Sequence, residues 1–183
     1  TIATDNTIEF SSDGLFKNKP DIVIAIYGEK PYAEMFGDIE NIKFSDHDVL
    51  DQIKFIKSKN IPVVSIFISG RPLVVNKYLN LSDAFVAAWL PGSEVDGISE
   101  VIFQKDGKVN SDFLGRLTFS WPKNKYQSTL NVGDKNYDPL FAFGYGLDYS
   151  SKINVPYIPI MDEDNLPNEF EIFRGQALGS NKE

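Results

Sequence analysis

The chain has 183 residues, and its 26 acidic against 18 basic side chains give a formal charge of −8. That length fits one ordinary domain with an appendage and is too short for two full-sized ones. The acidic balance argues against a protein that grips nucleic-acid phosphates, and apolar runs of about seven residues fall far short of the roughly 20 that a membrane helix needs.

Residues 1–20 are polar and broken by Gly14 and Pro20, with Ile8 to Phe10 as a candidate short strand. The run Asp21-Ile-Val-Ile-Ala-Ile-Tyr-Gly28 is apolar and β-branched almost throughout, which predicts a strand buried on both faces, the mark of a parallel sheet. A loop follows over residues 29–38 with Pro31, Gly37 and the carboxylates Glu29, Glu34 and Asp38. Ser45-Asp-His-Asp48 has the Ser-x-x-acid pattern of a helix start. Val49, Leu50, Ile53 and Ile56 then repeat at helical spacing until about Lys59, where Asn60 and Pro62 end the helix.

Residues 62–68 read as a second buried strand, which stops at the turn Ser69-Gly-Arg-Pro72. A short mixed segment leads to a third apolar run over residues 84–90. It ends at Pro91-Gly-Ser93, with Ser93 as the expected N-cap of a helix over residues 94–104. Beyond Gly107 the stretches 117–122 and 137–147 are aromatic, punctuated by Gly and Pro, and not helical.

This rhythm predicts an α/β fold: a mostly parallel sheet flanked by helices on both faces, an α/β sandwich with flavodoxin-like layering, closed by an irregular aromatic C-terminal segment. Residues 1–150 are expected to form that unit. Residues 151–183 are expected to be a linker or the opening of an additional β-domain.

Ligands in such sheets bind beyond the carboxyl ends of the strands. That selects the loop of Glu29, Glu34 and Asp38, the Gly70-Arg71 turn, and Pro91 to Glu94. No Gly-x-Gly-x-x-Gly or P-loop pattern is present, so no nucleotide cofactor is implied. With no cysteine and one histidine, thiolate chemistry is excluded and a histidine-based triad has only His47 to draw on. His47 falls in the first turn of a surface helix, where a solvated or capping role is the expectation. Zinc would have to rely on carboxylates, which it seldom does alone, and no metal site is assigned.

What remains is carboxylate chemistry. Tyr32, Met35 and Phe36 are expected to crowd Glu34, and a carboxyl held near aromatic surface and other carboxylates becomes a general acid that works near neutrality. Five residues span up to about 16 Å, so spacing leaves open which carboxylates meet and which is the acid. Glu94 and Asp96 favour a helix dipole where they stand. Arg71 is placed to pair with a carboxylate or to cap carbonyls, and Trp89 and Trp121 read as core residues.

Taken in order, Gly28-Glu-Lys-Pro-Tyr-Ala-Glu-Met-Phe-Gly-Asp38, Ile68-Ser-Gly-Arg-Pro-Leu-Val-Val75, Ser82-Asp-Ala-Phe-Val-Ala-Ala-Trp-Leu-Pro-Gly-Ser-Glu94, Gly115-Arg-Leu-Thr-Phe-Ser-Trp-Pro122 and the pieces from Asn131 through Tyr137 to Gly146 resemble the C-terminal α/β-sandwich domain of glycoside hydrolase family 3. Val95 departs from the glycine that usually follows Pro-Gly-Ser-Glu there. The resemblance implies a retaining exo-β-glucosidase acting on β-glucans or oligosaccharides, with an Asp nucleophile on a partner (β/α)8 barrel. In the plant and marine bacterial members whose loop is most similar, the acid/base is the second Glu, which matches Glu34. Gly28, Tyr32, Gly37 and Asp38 match as loop-shaping or supporting positions, and Arg71 and Glu94 lie in the other matching motifs as supporting residues.

The resemblance further implies that the chain lacks the barrel and its nucleophile and is inactive alone. It implies no cofactor, and a periplasmic or secreted location in a bacterium. Around Phe170 to Gly175 the tail is similar to the start of an additional C-terminal β-domain of marine bacterial members. The competing expectation is a stand-alone, non-catalytic module that binds carbohydrate or braces a partner.

Overall fold

The computed structural model describes Ile2, residues 7–151 and residues 153–160. The three apolar runs form a parallel sheet of β1 (Val23–Gly28), β2 (Val63–Ile68) and β3 (Ala84–Trp89), in the order β1-β2-β3. Val23 sits opposite Val63 and Gly28 opposite Ile68. Each crossover steps one strand in the same direction, so right-handed connections bring α1 (His47–Ser58) and α2 (Asn76–Leu81) to one face, where they touch each other. Helix α3 (Asp96–Ile102) follows β3. The architecture is therefore the expected α/β layering with flanking helices.

Alternation along the strands decides what is buried. Tyr27, Val63 and Phe67 point to the helix-covered side and join Leu50, Ile53, Ile56 and Tyr78 in the core. Tyr27, Phe44, Phe67 and Tyr78 pack there with ring centroids 4.9 to 6.0 Å apart, mostly in the tilted and edge contacts that aromatic quadrupoles favour. On the opposite side Ile66 of the central strand is buried, while Ile26 of β1 is 67% exposed. Burial on both faces thus holds for β2 and fails for β1. The reason is position: among the described residues β1 is an outer strand, paired on one edge only.

Helix α1 starts one residue later than the Ser45 pattern suggests. Asp46 is the cap, accepting from the Val49 N–H at 3.1 Å. The short segment after β2 contains α2, which was not expected. Helix α3 begins two residues beyond Glu94 and has no side-chain cap. Ser93 instead turns its hydroxyl to Glu94 Oε1 at 3.2 Å, and the Glu94 N–H closes a turn on Pro91 O. Val95 is right-handed, with φ −59°, so its side chain sits without strain where the resembling family carries glycine. The strand expected at Ile8 to Phe10 is absent, and both residues are exposed.

Beyond α3 a two-stranded hairpin, β4 (Gln104–Lys105) and β5 (Lys108–Val109), turns through Asp106 and Gly107 at φ 52° and 71°. The aromatic segment doubles back on itself: Trp121 N–H donates to Phe141 O and Leu117 N–H to Tyr145 O, both at 2.8 Å. After residue 150 the chain still packs on the sheet unit. Asn80 of α2 holds Ile158 by both backbone groups at 2.8 Å, and Ile158 is buried. Residues 161–183, with the similarity at Phe170 to Gly175, lie outside the described residues.

Candidate active site

The carboxyl ends of β1, β2 and β3 gather the three selected loops at one end of the sheet. At the end of β1, a Cβ on Gly28 would lie 1.9 Å from Ile68 O, so only glycine lets the strands stay paired where the loop departs. Glu29, next in sequence, donates its N–H to Ile68 O at 2.9 Å. Its carboxylate turns inward. Arg71 Nε donates to Glu29 Oε1 at 3.0 Å, Arg71 Nη2 lies 3.0 Å from the same oxygen, and Ser69 Oγ donates to Glu29 Oε2 at 2.7 Å. The Glu29 side chain keeps 13% of its surface exposed, so of the three loop acids this one is paired and used for structure.

Glu34 is the opposite case. It opens a single turn of 3-10 helix, Glu34–Gly37, with φ +47°, a left-handed backbone that side chains other than Gly, Asn and Asp adopt rarely. It is exposed, and among the described residues its carboxylate has no hydrogen-bond or ion-pair partner. Asp38 follows that turn, exposed, with its N–H on Met35 O at 3.1 Å.

Met35 and Phe36 do not crowd Glu34 with a covered apolar wall. They are 72% and 84% exposed. Tyr32 lies under Arg71, whose guanidinium carbon stands 4.4 Å from the ring centroid, within cation–π range. A Cβ on Gly37 would come within 2.6 Å of that ring, and one on Gly70 within 2.5 Å of the Tyr32 hydroxyl. Both glycines therefore make room for Tyr32.

Arg71 fulfils both roles open to it in sequence. It pairs with Glu29 and donates through Nη1 to Gly37 O. Glu94 stands exposed after β3, and its described side-chain contact is with Ser93, not with the Glu34 loop. His47 is exposed at the start of α1. Trp121 is buried, donating its indole N–H to Leu73 O at 2.8 Å, and Trp89 packs against Trp121 and Phe119. Ser69 was missed in sequence. Its signal was its place at the strand end, directly before Gly70-Arg71.

Among the described residues no group of three or more His, Asp or Glu is arranged to hold a metal ion. Nor is any helix there long and apolar enough to cross a membrane. The arrangement offers an unpaired, solvent-facing carboxylate, Glu34, on a strained turn five residues beyond Glu29, whose carboxylate is paired with arginine. Such a site can give or take a proton at a group brought to it from outside.

Residues 7–149 match the family model described as the glycosyl hydrolase family 3 C-terminal domain. The chain is 30% identical over 154 residues to a periplasmic beta-glucosidase of Salmonella typhimurium, covering 72% of this chain and 19% of that protein. It is 33% identical over 141 residues to a lysosomal beta glucosidase of Dictyostelium discoideum, covering 72% and 16%. The crystal structure of an exo-1,3/1,4-beta-glucanase from a Pseudoalteromonas species superposes with a TM-score of 0.79 and 55% identity, over 81% of this chain and 19% of that one. A beta-glucosidase from Listeria innocua in complex with gluconolactone gives 0.57 and 25%, over 70% and 20%. The chain thus spans less than a fifth of the length of these curated relatives.

Proposed function

Because the chain belongs to glycoside hydrolase family 3 through its C-terminal domain, we propose that it carries the acid/base of a retaining exo-β-glucosidase acting on β-glucans or oligosaccharides. The observation that carries this reading is Glu34: an exposed, unpaired carboxylate at φ +47° on the loop after β1. Its neighbour Glu29 is committed to Arg71, and Asp38 follows the turn as a supporting residue.

An Asp on a partner (β/α)8 barrel attacks the anomeric carbon, with the two carboxyls about 5–5.5 Å apart, as retention requires. Glu34, protonated, gives its proton to the leaving oxygen and then, as carboxylate, takes one from the water that releases the sugar. Exposed Met35 and Phe36 are covered by that barrel, which supplies the apolar wall around Glu34. Alone, the chain brings no nucleophile to its substrate and turns nothing over. We place the whole protein in the periplasm or outside a bacterial cell, a reading supported by the name of the Salmonella relative.

The test is made in the complete enzyme. Glu34→Gln should lower kcat/KM by about 100-fold or more on glucosides with poor leaving groups. Glu34→Gly should recover cleavage of an activated glucoside when azide is added. Wild-type rates from both variants would overturn the assignment.

A further inference from the structure

The loop that carries Glu34 has few ties to the fold. Within it, the Phe36 N–H bonds Ala33 O and the Asp38 N–H bonds Met35 O. Among the described residues, one hydrogen bond runs from residues 30–38 to the rest of the chain, and Arg71 donates it, to Gly37 O. The same guanidinium holds Glu29, five residues before Glu34, and covers the ring of Tyr32 between them.

One side chain therefore grips both flanks of the loop and its middle. The Arg71 side chain is itself 24% exposed and is held from below, since its own N–H bonds Ser69 Oγ at 3.2 Å and Ser69 in turn bonds Glu29. A planar, five-donor fork suits this task, whereas an ammonium offers one point charge and cannot serve Glu29 and Gly37 in the same plane.

We propose that Arg71 is a positioning residue: with Glu29, Ser69 and Tyr32 it closes residues 29–37 into a ring that aims the Glu34 carboxyl at the leaving oxygen. This rests on the acid/base reading of Glu34. A misplaced acid costs rate only where a proton must be delivered, and displacement of about 1 Å is worth about 100-fold. Loosening the ring therefore hurts poor leaving groups and spares good ones.

The experiment uses the full-length enzyme and a series of aryl β-glucosides of decreasing leaving-group pKa. Arg71→Lys and Arg71→Ala are each measured as kcat/KM, beside Glu34→Gln. The expected result is a loss of about 100-fold on unactivated glucosides and less than about 10-fold on the dinitrophenyl glucoside, so that rate becomes steeply dependent on leaving-group pKa. A role in folding alone would lower every substrate in proportion. Where Arg71→Ala fails to fold, Arg71→Lys decides. An unchanged slope in Arg71→Lys overturns the proposal, provided Glu34→Gln steepens it. An unchanged slope in Glu34→Gln overturns the acid/base reading itself, which separates the two failures.

Discussion

Trp121 reaches 48 residues back along the chain to place its indole N–H 2.8 Å from the carbonyl of Leu73. The bond joins the aromatic segment to the buried strip that follows the Ser69-Gly70-Arg71 turn. At 3% exposure Trp121 combines a large apolar area with a satisfied donor. Trp121→Ala should cost about 3–5 kcal/mol of stability, read as a lowered midpoint in denaturant. Trp121→Phe should cost less, because it retains apolar volume while leaving the Leu73 carbonyl without that donor.

Gly28 tests the strand crossing at the base of the site. A Cβ there would meet Ile68 O at 1.9 Å and Ile68 Cβ at 2.9 Å, and neither belongs to the flexible end of a side chain. Gly28→Ala should push β1 from β2 where Glu29 begins. The expected outcome is a loss of more than about 2 kcal/mol, far above the few tenths typical of surface changes, with faster amide exchange at Glu29.

Tyr27 predicts the alkaline limit. Its hydroxyl is buried and makes no hydrogen bond, and burial pushes the phenol up to about 12, offset in part by the nearby Ser65 and Ser82 hydroxyls. A pKa raised on folding means that the unfolded chain gives up this proton first. The stability it contributes is present below about pH 10 and is lost as pH rises toward 12. Tyr27→Phe should flatten stability across that window and be near neutral at pH 7, because the hydroxyl it removes has no partner. A stability curve from neutral pH into that alkaline window for both proteins checks it.

The three strands were legible because short, near-continuous apolar runs bounded by turn residues have few other uses in a chain this polar. Helix α2 was not. Six residues with no capping side chain offer too little periodicity to see, and packing against α1 makes it a helix. The hairpin at residues 104–109 left a signal that went unused, Asp106-Gly107, whose two left-handed φ values suit a two-residue turn. Ser93 misled because a good cap residue was available and a backbone turn on Pro91 used the position instead.

At the site, sequence spacing presented Glu29, Glu34 and Asp38 as equals. What separates Glu29 from Glu34 is an arginine 42 residues away, a distance that no local pattern can span. Nor does local pattern register Asn80 clasping Ile158, 78 residues further along the chain.

Outer strand β1 bears on how the chain behaves in a test tube. Val-Ile-Ala-Ile-Tyr-Gly carries no charge and no proline, and Ile26 faces solvent beside a row of backbone groups that no described strand pairs. An edge of this kind is a template for intermolecular cross-β growth. Expressed alone, the chain should lose solubility through this edge as concentration rises, and Ile26→Lys should raise the concentration at which light scattering appears.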